Sequence, residues 1–119
     1  MAEFSVVQAQ IDERRKHERI GVPYEASVSV FDKKGKRAGV VRQLGRGGMM
    51  IEPDTDFRKG KSYTLTIVDE TEGIRRKVQI VVRYTDPRHV GCEFEHLDAD
   101  TAVEIGILIG KYYSGKSSV

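Results

Sequence analysis

Ile74-Arg75-Arg76-Lys77-Val78-Gln79-Ile80-Val81-Val82-Arg83-Tyr84 (residues 74–84) decides the fold class. Val78, Ile80, Val82 and Tyr84 recur every second residue, which places them on one face of a long strand, toward a core. The same period runs on both sides of it. Upstream, Ala26, Val28 and Val30 alternate with Glu25, Ser27 and Ser29 within Tyr24–Phe31, and Tyr63, Leu65 and Ile67 alternate within Tyr63–Val68. Downstream, Val90, Cys92 and Phe94 share a face of His89–Phe94. Arg37–Leu44, interrupted by Gly39, and the apolar Met49-Met50-Ile51 complete six short strands. Lys33-Lys34-Gly35-Lys36, Lys59-Gly60-Lys61, Glu70-Thr71-Glu72-Gly73 and Asp86-Pro87-Arg88 read as turns. Six antiparallel strands at such spacing predict a closed barrel or a sandwich.

Outside the strands the pattern changes. Asp98 or Asp100 can cap a helix running to about Tyr113, with Gly115 as its stop. Its apolar residues cover more than one stripe, which predicts packing against the barrel and makes a second copy of the chain a candidate partner. Gly106 and Gly110, four apart, allow close backbone approach. Residues 1–13 have only scattered apolar positions, Phe4, Val6, Val7 and Ile11, and fit a flexible arm or a short helix equally. The expected division is an arm at 1–13, a barrel with its closing helix at 14–113, and a tail at 114–119.

The chain has 119 residues, 39% hydrophobic and 32% charged, with 20 Lys and Arg against 18 Asp and Glu. One domain with one core fits that length. No apolar run approaches the roughly 18 residues of a membrane span, and the N-terminus lacks a signal peptide's apolar centre. A cytoplasmic protein of bacterial type is the expectation. A net charge of +2 argues against nucleic acid as the general partner. Catalysis finds little support, and the expectation is a non-enzyme without a cofactor or metal. His17, His89 and His96 lack metal-ligand spacing, and the single cysteine, Cys92, reads as a buried, inert thiol.

Two stretches carry chemistry. Arg14-Arg15-Lys16-His17-Glu18-Arg19 concentrates four cations just before the first strand. An arginine fork grips phosphate or a guanine edge through paired hydrogen bonds. Alone, the stretch reads more readily as a solvated helix face with i,i+4 charge pairs such as Arg14–Glu18 than as a ligand clamp. The second stretch, Gly45-Arg46-Gly47-Gly48, would let a flat or anionic ligand approach the backbone, or would make a tight connection needing positive φ. It lacks the helix and lysine of a nucleotide P-loop.

In order and spacing these stretches resemble the PilZ domain. Arg15-x-x-x-Arg19 is similar to the family's RxxxR motif, and Gln43-Leu44-Gly45-Arg46-Gly47-Gly48 to its [D/N]xSxxG motif. Val90-Gly91-Cys92-Glu93-Phe94 leading into a helix looks like its last strand. The resemblance covers about residues 14–113. It implies a six-stranded antiparallel β-barrel with a C-terminal helix that binds cyclic di-GMP and signals to an effector protein through a changed surface. Arg15 and Arg19 match the arginine arm that folds over the ligand. Gly48 matches the final glycine, and Arg14 stands where the family often adds a third basic contact. Arg46 and Arg83 are further candidates by placement.

Two positions depart from the motif. Gln43 stands in place of Asp or Asn, and Gly45 in place of Ser. Gln43 offers one neutral acceptor where a carboxylate would accept from two guanine N–H groups, and Gly45 has no hydroxyl. An alternative reading is therefore a PilZ-like interaction module that no longer binds the nucleotide.

Overall fold

The computed structural model describes residues 19–117, with side chains through Tyr113; the arm at residues 1–13, and with it Arg14 and Arg15, lies outside the described residues. Seven strands and one helix follow in order: β1 (Arg19–Gly21), β2 (Val28–Phe31), β3 (Arg37–Gly45), β4 (Gly48–Pro53), β5 (Ser62–Asp69), β6 (Ile74–Thr85), β7 (Val90–His96) and α1 (Ala99–Ser117). Six strands form the barrel, β3-β2-β5-β6-β7-β4, closed by β3 pairing with β4. All the pairings are antiparallel, as alternation and short turns require.

The barrel is filled by the alternating residues. Val28, Val30, Val41, Leu44, Met49, Ile51, Ile80, Val82 and Cys92 are fully buried. Turn glycines Gly35, Gly60 and Gly73 take positive φ at the β2–β3, β4–β5 and β5–β6 connections, where a side chain would be strained. Gly39 serves another need. A Cβ there would collide with Ile51 and lie 2.7 Å from the Glu52 carbonyl oxygen, so it lets β3 and β4 approach closely. Phe57 plugs the loop after β4, edge-on to Tyr63 at 5.0 Å between ring centroids.

The seventh strand departs from expectation. Arg19 is in β1, where it pairs with β3, so the solvated helix over residues 12–19 does not extend to it. β2 occupies the first half of β3 and β1 the second half, on the same edge. The first barrel strand correspondingly starts at Val28, and Tyr24 sits in the preceding turn.

α1 is capped by Asp98, whose carboxylate accepts from Thr101 N at 2.7 Å. Thr101, Ile105, Leu108 and Tyr112 form the face packed on the barrel. The helix continues through Gly115 to Ser117, because one glycine costs a helix only about 1 kcal/mol and does not by itself end it. A buried carboxylate fixes its far end. Asp69, at the end of β5, accepts from Tyr112 OH at 2.9 Å and from the Thr71 hydroxyl and amide, while Lys111 lies 3.5 Å away. Arg76 and Glu104 add an ion pair at 2.8 Å between β6 and α1. No helix among the described residues is long and apolar enough to cross a membrane.

Candidate functional site

β1 brings Arg19 to the glycine-rich stretch. In the β1–β3 ladder Arg19 is opposite Gly45, Ile20 opposite Leu44, and Gly21 opposite Gln43. Leu44 points inward and is fully buried, so Gln43 and Gly45 face outward beside Arg19 and Gly21. The outer surface continues across β4 and β7. Met49 and Cys92 are opposite one another and buried, which leaves Gly48, Met50 and Gly91 on the outer face.

The Arg19 side chain lies along this face. Its Nη2 donates a long hydrogen bond to the Cys92 carbonyl oxygen at 3.4 Å. A Cβ at Gly48 would collide with that same oxygen and lie 3.1 Å from Nη2, and one at Gly91 would lie 4.0 Å from Nη1. The two glycines thus form a floor on which the guanidinium rests. Gly48 is needed for this approach and not for its φ, since the positive-φ glycines among the described residues are the three at the turns. Among the described residues this weak hydrogen bond is the one the guanidinium makes, and it engages one of the fork's five donors.

Tyr84 completes the surface, contrary to its expected place in the core. Its side chain is 55% exposed. The β6–β7 register shifts between Val82 and Tyr84, a bulge in which the extra residue, Arg83, turns Tyr84 to the outer face opposite Gly91. Its hydroxyl donates to Asp86 at 2.8 Å, which orients the ring. The Asp86 carboxyl is pulled down to about 2, first by the tyrosine hydroxyl and then by the Arg88 amide. Arg83 remains exposed, 3.5 Å from Glu93.

The other sequence candidates divide. Gln43 sits on the outer face after a second bulge, between Val41 and Gln43, that sets Arg42 apart against Glu52 and the Tyr24 ring. Arg46 is exposed at the tip of the β3–β4 connection. It borders a cavity of about 330 Å³ with Leu97, Ala102, Val103, Ile105 and Gly106, so it faces α1. The Cys92 thiol is buried and pushed up to about 12 by that burial, as an inert thiol should be. The described residues therefore bring together Arg19, Gln43, Gly45 and Gly48, and add Tyr84 and Gly91. A glycine inside a strand signals close approach, so Gly91 could have been found from sequence. Tyr84 could not, because only the bulge reverses its face.

The barrel, its added strand and its closing helix match solved structures. Bacillus subtilis inhibitor of motility, MotI/DgrA, superposes with a TM-score of 0.65 at 20% identity over 87% of this chain and 52% of that one. The chain thus spans about half the length of that protein. The PilZ domain of CeSA from a cellulose-synthesizing bacterium superposes with a TM-score of 0.58 at 13% identity, covering 79% of this chain and 96% of that domain. At such identities the likeness is one of fold. No curated protein matches in sequence. The PilZ domain family matches residues 13–110, which include the arginine stretch, the glycine-rich stretch and most of the helix. The closed barrel and the placement of Arg19 against the glycine stretch agree with that match, and this chain belongs to the PilZ domain family.

Proposed function

We propose that the chain is a cyclic di-GMP receptor that acts as an adaptor. The observation that carries this reading is the Arg19 guanidinium lying on the floor made by Gly48 and Gly91. Cyclic di-GMP offers two phosphodiesters and two guanines. An arginine fork is suited to either, through bidentate hydrogen bonds to phosphate oxygens or to guanine O6 and N7. The glycines leave room for a purine to lie flat on the sheet, and the Tyr84 ring offers a stacking face at its edge. Arg14 and Arg15, a few residues before β1, would close over the ligand from outside the barrel.

Binding would then change the surface around β1, which follows the arginine arm in the chain, and α1, which packs beside β1, and an effector protein would read that change. Gln43 and Gly45 weaken the guanine contacts relative to Asp and Ser, each by about 1–3 kcal/mol if a ligand group goes unpaired. Bridging water recovers part of that in an open site. The test is calorimetry with cyclic di-GMP on the wild-type chain and on Arg19→Ala. Saturable binding, weakened about tenfold to a hundredfold by the substitution, is expected from the loss of a charged hydrogen-bond donor worth about 1.5–3 kcal/mol. Absence of heat at high micromolar ligand overturns the reading in favour of a ligand-independent interaction module.

A further inference from the structure

Three of the large hydrophobic side chains exposed on the described surface lie on one helix. Val103, Ile107 and Tyr113 of α1 are 63%, 50% and 60% exposed. At 100° per residue they fall, with Gly106 and Gly110, on a single face opposite the packed stripe of Thr101, Ile105, Leu108 and Tyr112. Ala99 and Ala102 extend that face toward the N-terminus. No charged residue falls within it, although 32% of the chain is charged. A solvated helix face would carry lysines and glutamates there.

We propose that this face is the interface of a symmetric dimer, in which α1 packs antiparallel against α1 of a second copy about a two-fold axis at Gly106. Self-complementarity of size supports it. With Gly106 on the axis, Tyr113 of each copy comes opposite Ala99 of the other, and Gly110 opposite Ala102. The large Tyr113 thus meets a small residue, and the small Gly110 and Ala102 let the two backbones approach, so the patch is self-complementary, as an isologous interface requires. A Cβ at either Gly106 or Gly110 meets nothing within 4 Å among the described residues, so their packing does not require these glycines, and close approach by a second helix does.

Charge fixes the direction. Asp100 stands in the first turn of the helix and Lys111, partly exposed beside Glu72, eleven residues further on along the same flank. An antiparallel pair brings the acidic end toward the basic end on that flank and opposes the two helix dipoles, whereas a parallel pair sets like against like. The axis at Gly106 also places the two Arg46 hairpin tips beside the interface, through the cavity that Arg46 shares with Val103 and Gly106. The proposal stands whether or not the barrel binds a nucleotide.

Sedimentation velocity on the full chain over low to high micromolar concentration tests it, with no nucleotide present. The expected result is a reversible monomer–dimer equilibrium that Gly106→Glu weakens at least tenfold, and Asp100→Lys less. Because the single chain has open space at Gly106, the variant's thermal midpoint under dilute conditions should stay at or above wild type. That separates lost association from lost folding. A wild-type chain that stays monomeric throughout, as it would if residues 1–18 cover this face, overturns the proposal. So does a dimer that Gly106→Glu leaves intact.

Discussion

Arg19 and Gly45 stand directly opposite one another in the β1–β3 ladder, so the arginine motif and the glycine motif meet through paired backbone. That pairing fixes the Arg19 backbone on the barrel surface. A residue whose backbone is already held by a strand has only its side chain left to order when it grips a ligand, so Arg19 can act as the fixed jaw of the site.

Gly48 is where the site and the fold depend on the same atom. Gly48→Ala should destabilise the chain by about 1–3 kcal/mol, because the methyl group collides with the Cys92 carbonyl oxygen and β4 and β7 must separate. Urea unfolding would measure it. The same change should also displace Arg19, so ligand binding falls by more than stability alone explains. A variant as stable as wild type would mean the β4–β7 contact is looser than described.

Tyr84 should matter to ligand and hardly to folding. Its ring is mostly exposed, so Tyr84→Ala should change stability by less than about 0.5 kcal/mol. If a guanine stacks on it, affinity should drop by about 1–3 kcal/mol of stacking energy, and Tyr84→Phe should keep most of it. Titrating both variants with cyclic di-GMP distinguishes a stacking ring from a bystander.

Restoring the acidic group at the second motif should tighten binding. Gln43→Asp places a carboxylate on the outer face of β3, opposite Gly21, where it can accept from two guanine N–H groups. A gain of about tenfold is expected, the equivalent of one recovered hydrogen bond of about 1.5 kcal/mol. Gly45 lies outside the positive-φ region, so adding Gly45→Ser should bring no backbone strain. Unchanged affinity in the double variant would place the guanine elsewhere on the barrel.

Acid should loosen the helix through Asp69. Burial alone would raise its carboxyl, but hydrogen bonds from Thr71 and Tyr112, the Glu72 amide and the nearby Lys111 outweigh that and hold it below the ordinary 3.8. A folded value below the unfolded one means the carboxylate stabilises the fold at neutral pH. That contribution is intact above the unfolded value and is lost as pH falls from about 4 through the lowered folded value. Asp69→Asn should cost about 1–3 kcal/mol at pH 7 and flatten the decline below pH 4, as followed by helix ellipticity. An unaltered acid limb would assign the decline to other carboxylates.

The strands of the barrel were legible because burial of one face imposes a local period of two, visible in any window of Ile74–Tyr84. The cap at Asp98, the buried Cys92 and the turn glycines were equally local. Arg19 and Gly48 were legible as candidates through motif spacing. What the chain's own pattern left open was the conformation of Arg19, which suits a helix or a strand until a partner edge is present.

Tertiary structure decided the rest through register. β1 forms because the second half of β3 has an edge that β2 leaves unpaired, a relationship between residues more than twenty positions apart. Tyr84 leaves the core because one extra residue in β6, set against β7, reverses the face of every side chain beyond it. Alternation along the chain determined that this protein is built of short antiparallel strands around one core, and the β3–β4 pairing closed them into a barrel. Pairing between distant strands, which a linear pattern does not encode, determined that Arg19, Gly48 and Tyr84 share one surface.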